Sequence, residues 1–138
     1  MIVGVTAALL HLLWECAHVR LYTGYEHLTH MPILVYAISG DVLYTLVAIF
    51  FVSLVKGQLD WLAMPSVRDL MALMLLGFWI ALFVEYKALA LHQWAYLDTM
   101  PIIPILNVGL SPIVQMTILL PLTVLFSAGL DRVVRRLV

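Results

Sequence analysis

Residues 33–55 read ILVYAISGDVLYTLVAIFFVSLV, a stretch in which Asp41 is the one charged side chain. The hydrocarbon core of a bilayer, about 30 Å thick, takes roughly 20 apolar residues of helix to cross. This stretch meets that length. Three more of the same kind lie at 2–21, 70–91 and 112–130. Helix breakers fall between them: Pro32, Gly57, Pro65 and the pair Pro101 and Pro104. The expected fold is all-α, a single domain over 1–138 with four transmembrane helices in an up-down bundle. A partly apolar extracytoplasmic loop joins the third helix to the fourth. Pro121 falls inside the fourth stretch, where loss of a backbone hydrogen bond predicts a kink. The run Gly109-Leu110-Ser111-Pro112 reads as a loop-to-helix junction, with Ser111 as N-cap and Pro112 as the first helical residue.

Composition agrees with this reading. The 138 residues are 64% hydrophobic and 11% charged, with a mean hydropathy of +1.08; a soluble domain is nearer 45–50% apolar and about 25% charged. Seven basic residues and a net charge of −1 leave no footprint for nucleic acid. Cys16 is the single cysteine, so no internal disulfide forms. The first stretch has neither a basic leader nor an A-x-A cleavage site and reads as retained. No Walker loop, glycine-rich dinucleotide turn, nucleophile elbow or cysteine cluster occurs. With both termini cytoplasmic, Lys56, Arg68, Arg132, Arg135 and Arg136 lie inside and only Arg20 and Lys87 outside. The positive-inside rule favours that orientation.

Three of the four stretches carry an acid: Glu15, Asp41 and Glu85. A charge at mid-membrane costs about 2.5–3.5 kcal/mol on insertion scales, so it normally faces a partner or a cavity. At 1.5 Å per residue, Glu15 and Glu85 lie ~9 Å below the outer helix ends, Asp41 ~12 Å and Gln115 ~5 Å. His11, Glu15 and His18 share one helix face, Glu85 and His92 stand two turns apart, and Asp41, Tyr44 and Thr45 share another face. Gly40 beside Asp41 is expected to let a neighbouring helix approach closely. The expectation is an outward-facing pocket lined by Glu15, Asp41 and Glu85. His18, His92, Gln115, Tyr44, Trp94 and Asn107 are its further members. His11 reads as a packing histidine, and His27 and His30 as solvated loop residues. Lys87 either snorkels to headgroups or pairs with Asp41 or Glu85.

Glu15-x-x-His18 also has the i, i+3 spacing of carboxylate-bridged di-metal helices. A divalent metal held by Glu15, His18, Glu85 and His92 is therefore a second reading of the same residues. The stretch 92–110, HQWAYLDTMPIIPILNVGL, is too short to span and too apolar to be freely solvated. It is expected to rest on the outer leaflet and cover the pocket mouth, with Trp94, Tyr96, Asp98 and Asn107 at the rim.

Leu13-Trp14-Glu15, Leu21-Tyr22, Gly40-Asp41-Val42, Glu85, Trp94-x-Tyr96, Met100-Pro101, Pro104 and Gly109-Leu110-Ser111-Pro112-x-x-Gln115 together form a pattern. On these residues the chain resembles a set of small four-helix prokaryotic integral membrane proteins of uncharacterised function, over nearly its whole length. The resemblance implies the four-helix fold and a prokaryotic cytoplasmic membrane, and it assigns no role to any residue. His18 stands where the resemblance implies Gln.

The expected function is binding of a cation, a proton-coupled solute or a small amphiphile from the outer side, for transport or for chemistry. A four-helix carrier needs a homodimer to enclose a path. The rival from another class is an integral membrane enzyme, an isomerase or transferase on a lipid-like substrate, working by carboxylate acid–base catalysis. A third reading is an accessory subunit of a larger membrane complex, its acids paired with partner helices. The expected partners are thus the lipid bilayer, a small molecule or ion, and a second copy or larger complex.

Overall fold

The computed structural model describes residues 2–26 and 32–137. His27 and His30 lie outside the described residues. Four helices make the frame: α1 (Ile2–His18), α2 (Ile33–Lys56), α3 (Val67–Ala90) and α4 (Leu110–Leu137). A 3-10 turn, Val19–Leu21, extends α1, and all four elements are long and apolar enough to cross a membrane. Side-chain contacts fix their directions. The end of α1 meets the start of α4 where His18 Nδ1 lies 2.9 Å from Ser111 Oγ, and the end of α2 meets the start of α3 where Lys56 contacts Asp69. Neighbours in sequence are therefore antiparallel, and both α1 and α3 finish at the end where the loop 92–109 lies.

Helix ends differ from the sequence expectation where side chains found better partners. α3 begins at Val67 rather than 70 because Ser66 and Asp69 form a capping box. The Ser66 hydroxyl accepts from the Asp69 amide at 3.3 Å, and the Asp69 carboxylate accepts from the Ser66 amide at 2.9 Å. α4 begins at Leu110 rather than 112, so Ser111 sits inside the first turn and is not its N-cap. Its hydroxyl is engaged by His18 instead, and the Leu110 amide donates to the Pro101 carbonyl at 2.7 Å. α4 runs as one element through Pro121 and carries its polar last turns past 130.

α4 is the axis of the bundle. Of its apolar window 56% is buried, against 28% for each of the other three. The core layer joins Leu73 and Ala81 of α3 to Met116, Leu120 and Val124 of α4 and to Ala48, Ile49 and Val52 of α2. Gly77 lets α3 close on α4: a Cβ there would stand 2.2 Å from the Met116 carbonyl oxygen. The close approach expected at Gly40 is absent, since a Cβ at Gly40 meets nothing within 4 Å. The reason is tertiary. Gly40 faces a cavity, whereas Gly77 faces a helix. The outer faces remain apolar, with Leu13, Val55 and Phe83 each about two-thirds or more exposed (71%, 74% and 66%).

The loop 92–109 contains strands that the sequence reading did not foresee. β1 (Tyr22–Thr23) pairs antiparallel with β2 (Ala95–Tyr96), Tyr22 opposite Tyr96, and β3 (Ile102–Ile103) pairs with β4 (Val108–Gly109). The Leu97 amide adds a bond to the Leu21 carbonyl at 2.9 Å. Met100 is buried over Gly109, within 3.0 Å of where a Cβ would stand. The loop is thus tied to the end of α1 and directs its aromatic side chains inward.

Candidate functional site: a carboxyl-lined cavity

A cavity of about 360 Å³ lies among the four helices at the end where β1 and β2 pair. Its floor comes from α1 and α4, where Glu15, His18 and Gln115 converge. Three helices carry acids to it at matching heights, and the chain's alternating direction makes that possible.

Gln115 organises the floor. Carboxylates only accept hydrogen bonds, so the amide nitrogen must face them. Gln115 Nε2 donates to Glu15 Oε1 at 3.0 Å and to Asp41 Oδ2 at 2.8 Å. The two carboxyl oxygens therefore lie no farther apart than those two bonds laid end to end. Both amide hydrogens are then used, and the His11 ring completes the pattern. His11 Nδ1 points toward Asp41 Oδ2 at 3.4 Å, while Nε2 meets the Thr45 hydroxyl at 3.0 Å. His11 and Thr45 are fully enclosed. His18 bridges Glu15 Oε1 at 2.8 Å, through Nε2, to Ser111 on α4.

Glu85 forms the second half of the site. Its Oε2 accepts from the Tyr96 hydroxyl and from Trp94 Nε1 at 3.4 Å. Tyr22 packs edge-on to His18, with ring centroids 5.3 Å apart, and to Trp94 at 6.1 Å. Burial pushes the Tyr22 and Tyr96 hydroxyls above the usual phenol range, and the nearby Glu85 carboxylate adds to it. Both rings thus stay neutral donors.

A common feature unites the acids. The bonds to Glu15 fall on Oε1, those to Asp41 on Oδ2 and those to Glu85 on Oε2. Glu15 and Asp41 are also hydrogen-bonded to each other, carboxyl to carboxyl. All three acids line the cavity.

Of the residues singled out from the sequence, Glu15, Asp41, Glu85, His18, Gln115, Tyr44 and Trp94 line this cavity. His92 and Asn107 do not. α3 ends at Ala90 in a Schellman turn, the Gln93 amide donating to the Ala88 carbonyl at 2.8 Å and the His92 amide to Leu89 at 3.2 Å. His92 takes the left-handed position, φ 53°, and its side chain leaves the face that holds Glu85. Asn107 takes the same conformation, φ 53°, to close the turn between β3 and β4. With His92 elsewhere, the set Glu15, His18, Glu85 and His92 does not converge. Among the described residues no group of three or more His, Cys, Asp or Glu is placed to hold a metal ion.

Lys87 lines the cavity without pairing with Asp41 or Glu85. Asp98 is exposed, away from the cavity lining. The sequence reading took His11 as a packing residue and Ser111 as a cap, and gave Tyr22 no place in the pocket. The i, i+4 spacings of Asp41 with Thr45 and of His18 with Tyr22 were the available signals. No known protein family, curated protein or solved structure matches this chain. The chemistry of the cavity is therefore read from its own residues.

Proposed function

We propose that this chain is an integral membrane protein of the prokaryotic cytoplasmic membrane, both termini cytoplasmic, whose outward-facing pocket binds a small amphiphile. One observation carries the reading: the cavity has a polar floor and apolar sides, and it is bounded by residues on the outer faces of two helices. Leu43 and Tyr36 of α2 line it while remaining 60% and 39% exposed. Ile80 and Val84 line it from α3. A pocket walled by lipid-facing side chains admits a molecule sideways from the outer leaflet, its polar end reaching Glu15, Asp41 and Gln115. A solute arriving only from water has no use for such a wall. Binding serves transport if a second copy completes a path.

A second reading is favoured by the floor itself, where carboxyl and imidazole groups from α1 and α2 meet within hydrogen-bond reach. That is the equipment of an isomerase or transferase working by acid–base chemistry on a lipid-like molecule.

The test is retention. Wild type and Gly40→Leu are purified side by side, and the hydrophobic compounds that each retains are compared by mass spectrometry. Gly40 faces open space, so Leu fills the cavity without touching the backbone. Wild type is expected to retain a small amphiphile that Gly40→Leu does not; identical profiles remove the pocket reading. For orientation, Asp98→Cys in a Cys16→Ala background is expected to react with an impermeant label from outside, and Arg68→Cys only after lysis.

A further inference from the structure

Resting on the pocket reading above, we infer that its amphiphile carries a cationic amine head. The head sits against the carboxyl groups of Glu15, Asp41 and Glu85, and the tail lies between α2 and α3.

Three independent features of the cavity agree on this chemistry. The first is the acids themselves. Glu15, Asp41 and Glu85, from three helices, all line one cavity, and the lining cation, Lys87, forms no ion pair with them. A ligand head placed among these acids must donate hydrogen bonds or carry positive charge. An anionic head meets three carboxyl groups and is rejected.

The second is the lining above the floor. Tyr22, Tyr25, Tyr36, Tyr44 and Trp94 all border the cavity. Aromatic rings offer a negative face to a cation, and amine heads are held by such rings within about 6 Å of their centroids. Neutral hydrogen-bond donors gain nothing comparable from five rings. Trp94 and Tyr96 also orient Glu85, so aromatic groups and acid are set by one piece of chain.

The third is the shape. Ile33, Leu43, Ile80 and Val84 form the apolar sides, and about 360 Å³ is at the lower end of ligand pockets, which run ~300–1,000 Å³. The head and the first part of a chain fit inside; the remainder passes out between α2 and α3. Lys87 is exposed on the same side, where it does not contest the floor.

The experiment uses three probes of equal chain length that differ only in the head: octylamine, protonated at neutral pH, octanol and octanoate. Wild type, Gly40→Leu and Glu85→Gln are purified in a non-ionic detergent and titrated with each, and bound mass is read by native mass spectrometry. Wild type is expected to bind octylammonium saturably at about one-tenth the concentration needed for octanol, and octanoate more weakly still. Gly40→Leu is expected to abolish that binding and Glu85→Gln to weaken it several-fold. Equal binding of octanol or octanoate, still lost in Gly40→Leu, overturns the cationic head and leaves the pocket standing. An amine preference indifferent to Glu85→Gln overturns the assignment of the head to these acids. No binding sensitive to Gly40→Leu with any probe overturns both. Matching thermal melts of the three proteins exclude misfolding as the cause.

Discussion

The two ends of this bundle each hold a polar cluster inside apolar helices, and they use it in opposite ways. At one end Lys56 Nζ donates to both oxygens of Asp69, at 2.7 and 2.8 Å, and lies 5.5 Å from the Trp61 ring centroid. Trp61 donates to Ser53 at 3.0 Å, and Ser66 closes the box on Asp69. Both carboxyl oxygens there are used, and the cluster closes the turn between α2 and α3. At the other end three acids from three helices border an open volume. Burial alone does not tell these clusters apart, for Asp69 and Glu85 are both buried. What separates the two clusters is the open volume that borders one of them and not the other.

The largest effect expected from this contrast is at the closed end. Asp69→Ala removes the carboxylate half of the capping box and leaves Lys56 unpaired, so unfolding in detergent micelles should show a loss of about 2–3 kcal/mol. A loss under ~0.5 kcal/mol would show that this cluster is not the scaffold described. Next comes Gln115→Leu, which strips the donor shared by Glu15 and Asp41. It should cost about 1–2 kcal/mol in the same assay, and no cost would break the picture of an organised floor.

His92→Gly has the opposite sign. The left-handed residue that ends α3 carries a Cβ, and its removal is expected to stabilise by about 0.5–1 kcal/mol without affecting ligand binding. Any change in binding would return His92 to the site. Glu85→Gln keeps an acceptor for Tyr96 and Trp94 and should cost only about 0.5 kcal/mol. The smallest effect is optical. Tyr22 and Tyr96 hold their protons above the usual phenol value of about 10. Alkaline titration by phenolate absorbance should therefore leave at least two of the six tyrosines silent until the protein unfolds. The sign follows: a raised phenol adds stability that is fully present below about pH 10 and is lost as pH rises beyond it. Six tyrosines titrating together near pH 10 would place Tyr96 outside the hydrogen bond with Glu85.

The four helices were legible because hydropathy records how much apolar chain is available, and length does the rest. That Glu15, Asp41 and Gln115 fall in the same half of their helices was legible for the same reason, since depth is counted along a helix from its ends. Facing was not. Gly40 and Gly77 are both helical glycines in apolar stretches, and only packing decides that Gly77 touches Met116 while Gly40 opens on a cavity. His92 has the right phase for Glu85 on an unbroken helix, but α3 stops at Ala90 and the phase is lost. Tyr96 reaches Glu85 only because β2 pairs with β1, and two-residue strands leave no periodic trace in a sequence. The capping box at Ser66 and Asp69 did have a signature, S-x-x-D, and marks the true start of α3.

α4 is both the most enclosed helix and the last of the four along the chain. Without it, α1, α2 and α3 form a trough missing its keel, in which Glu15, Asp41 and His18 lack the Gln115 amide and the Ser111 hydroxyl. Removing α4 therefore takes away a partner of Glu15, of Asp41 and of His18 at once, and the other three helices alone have no polar group in its place.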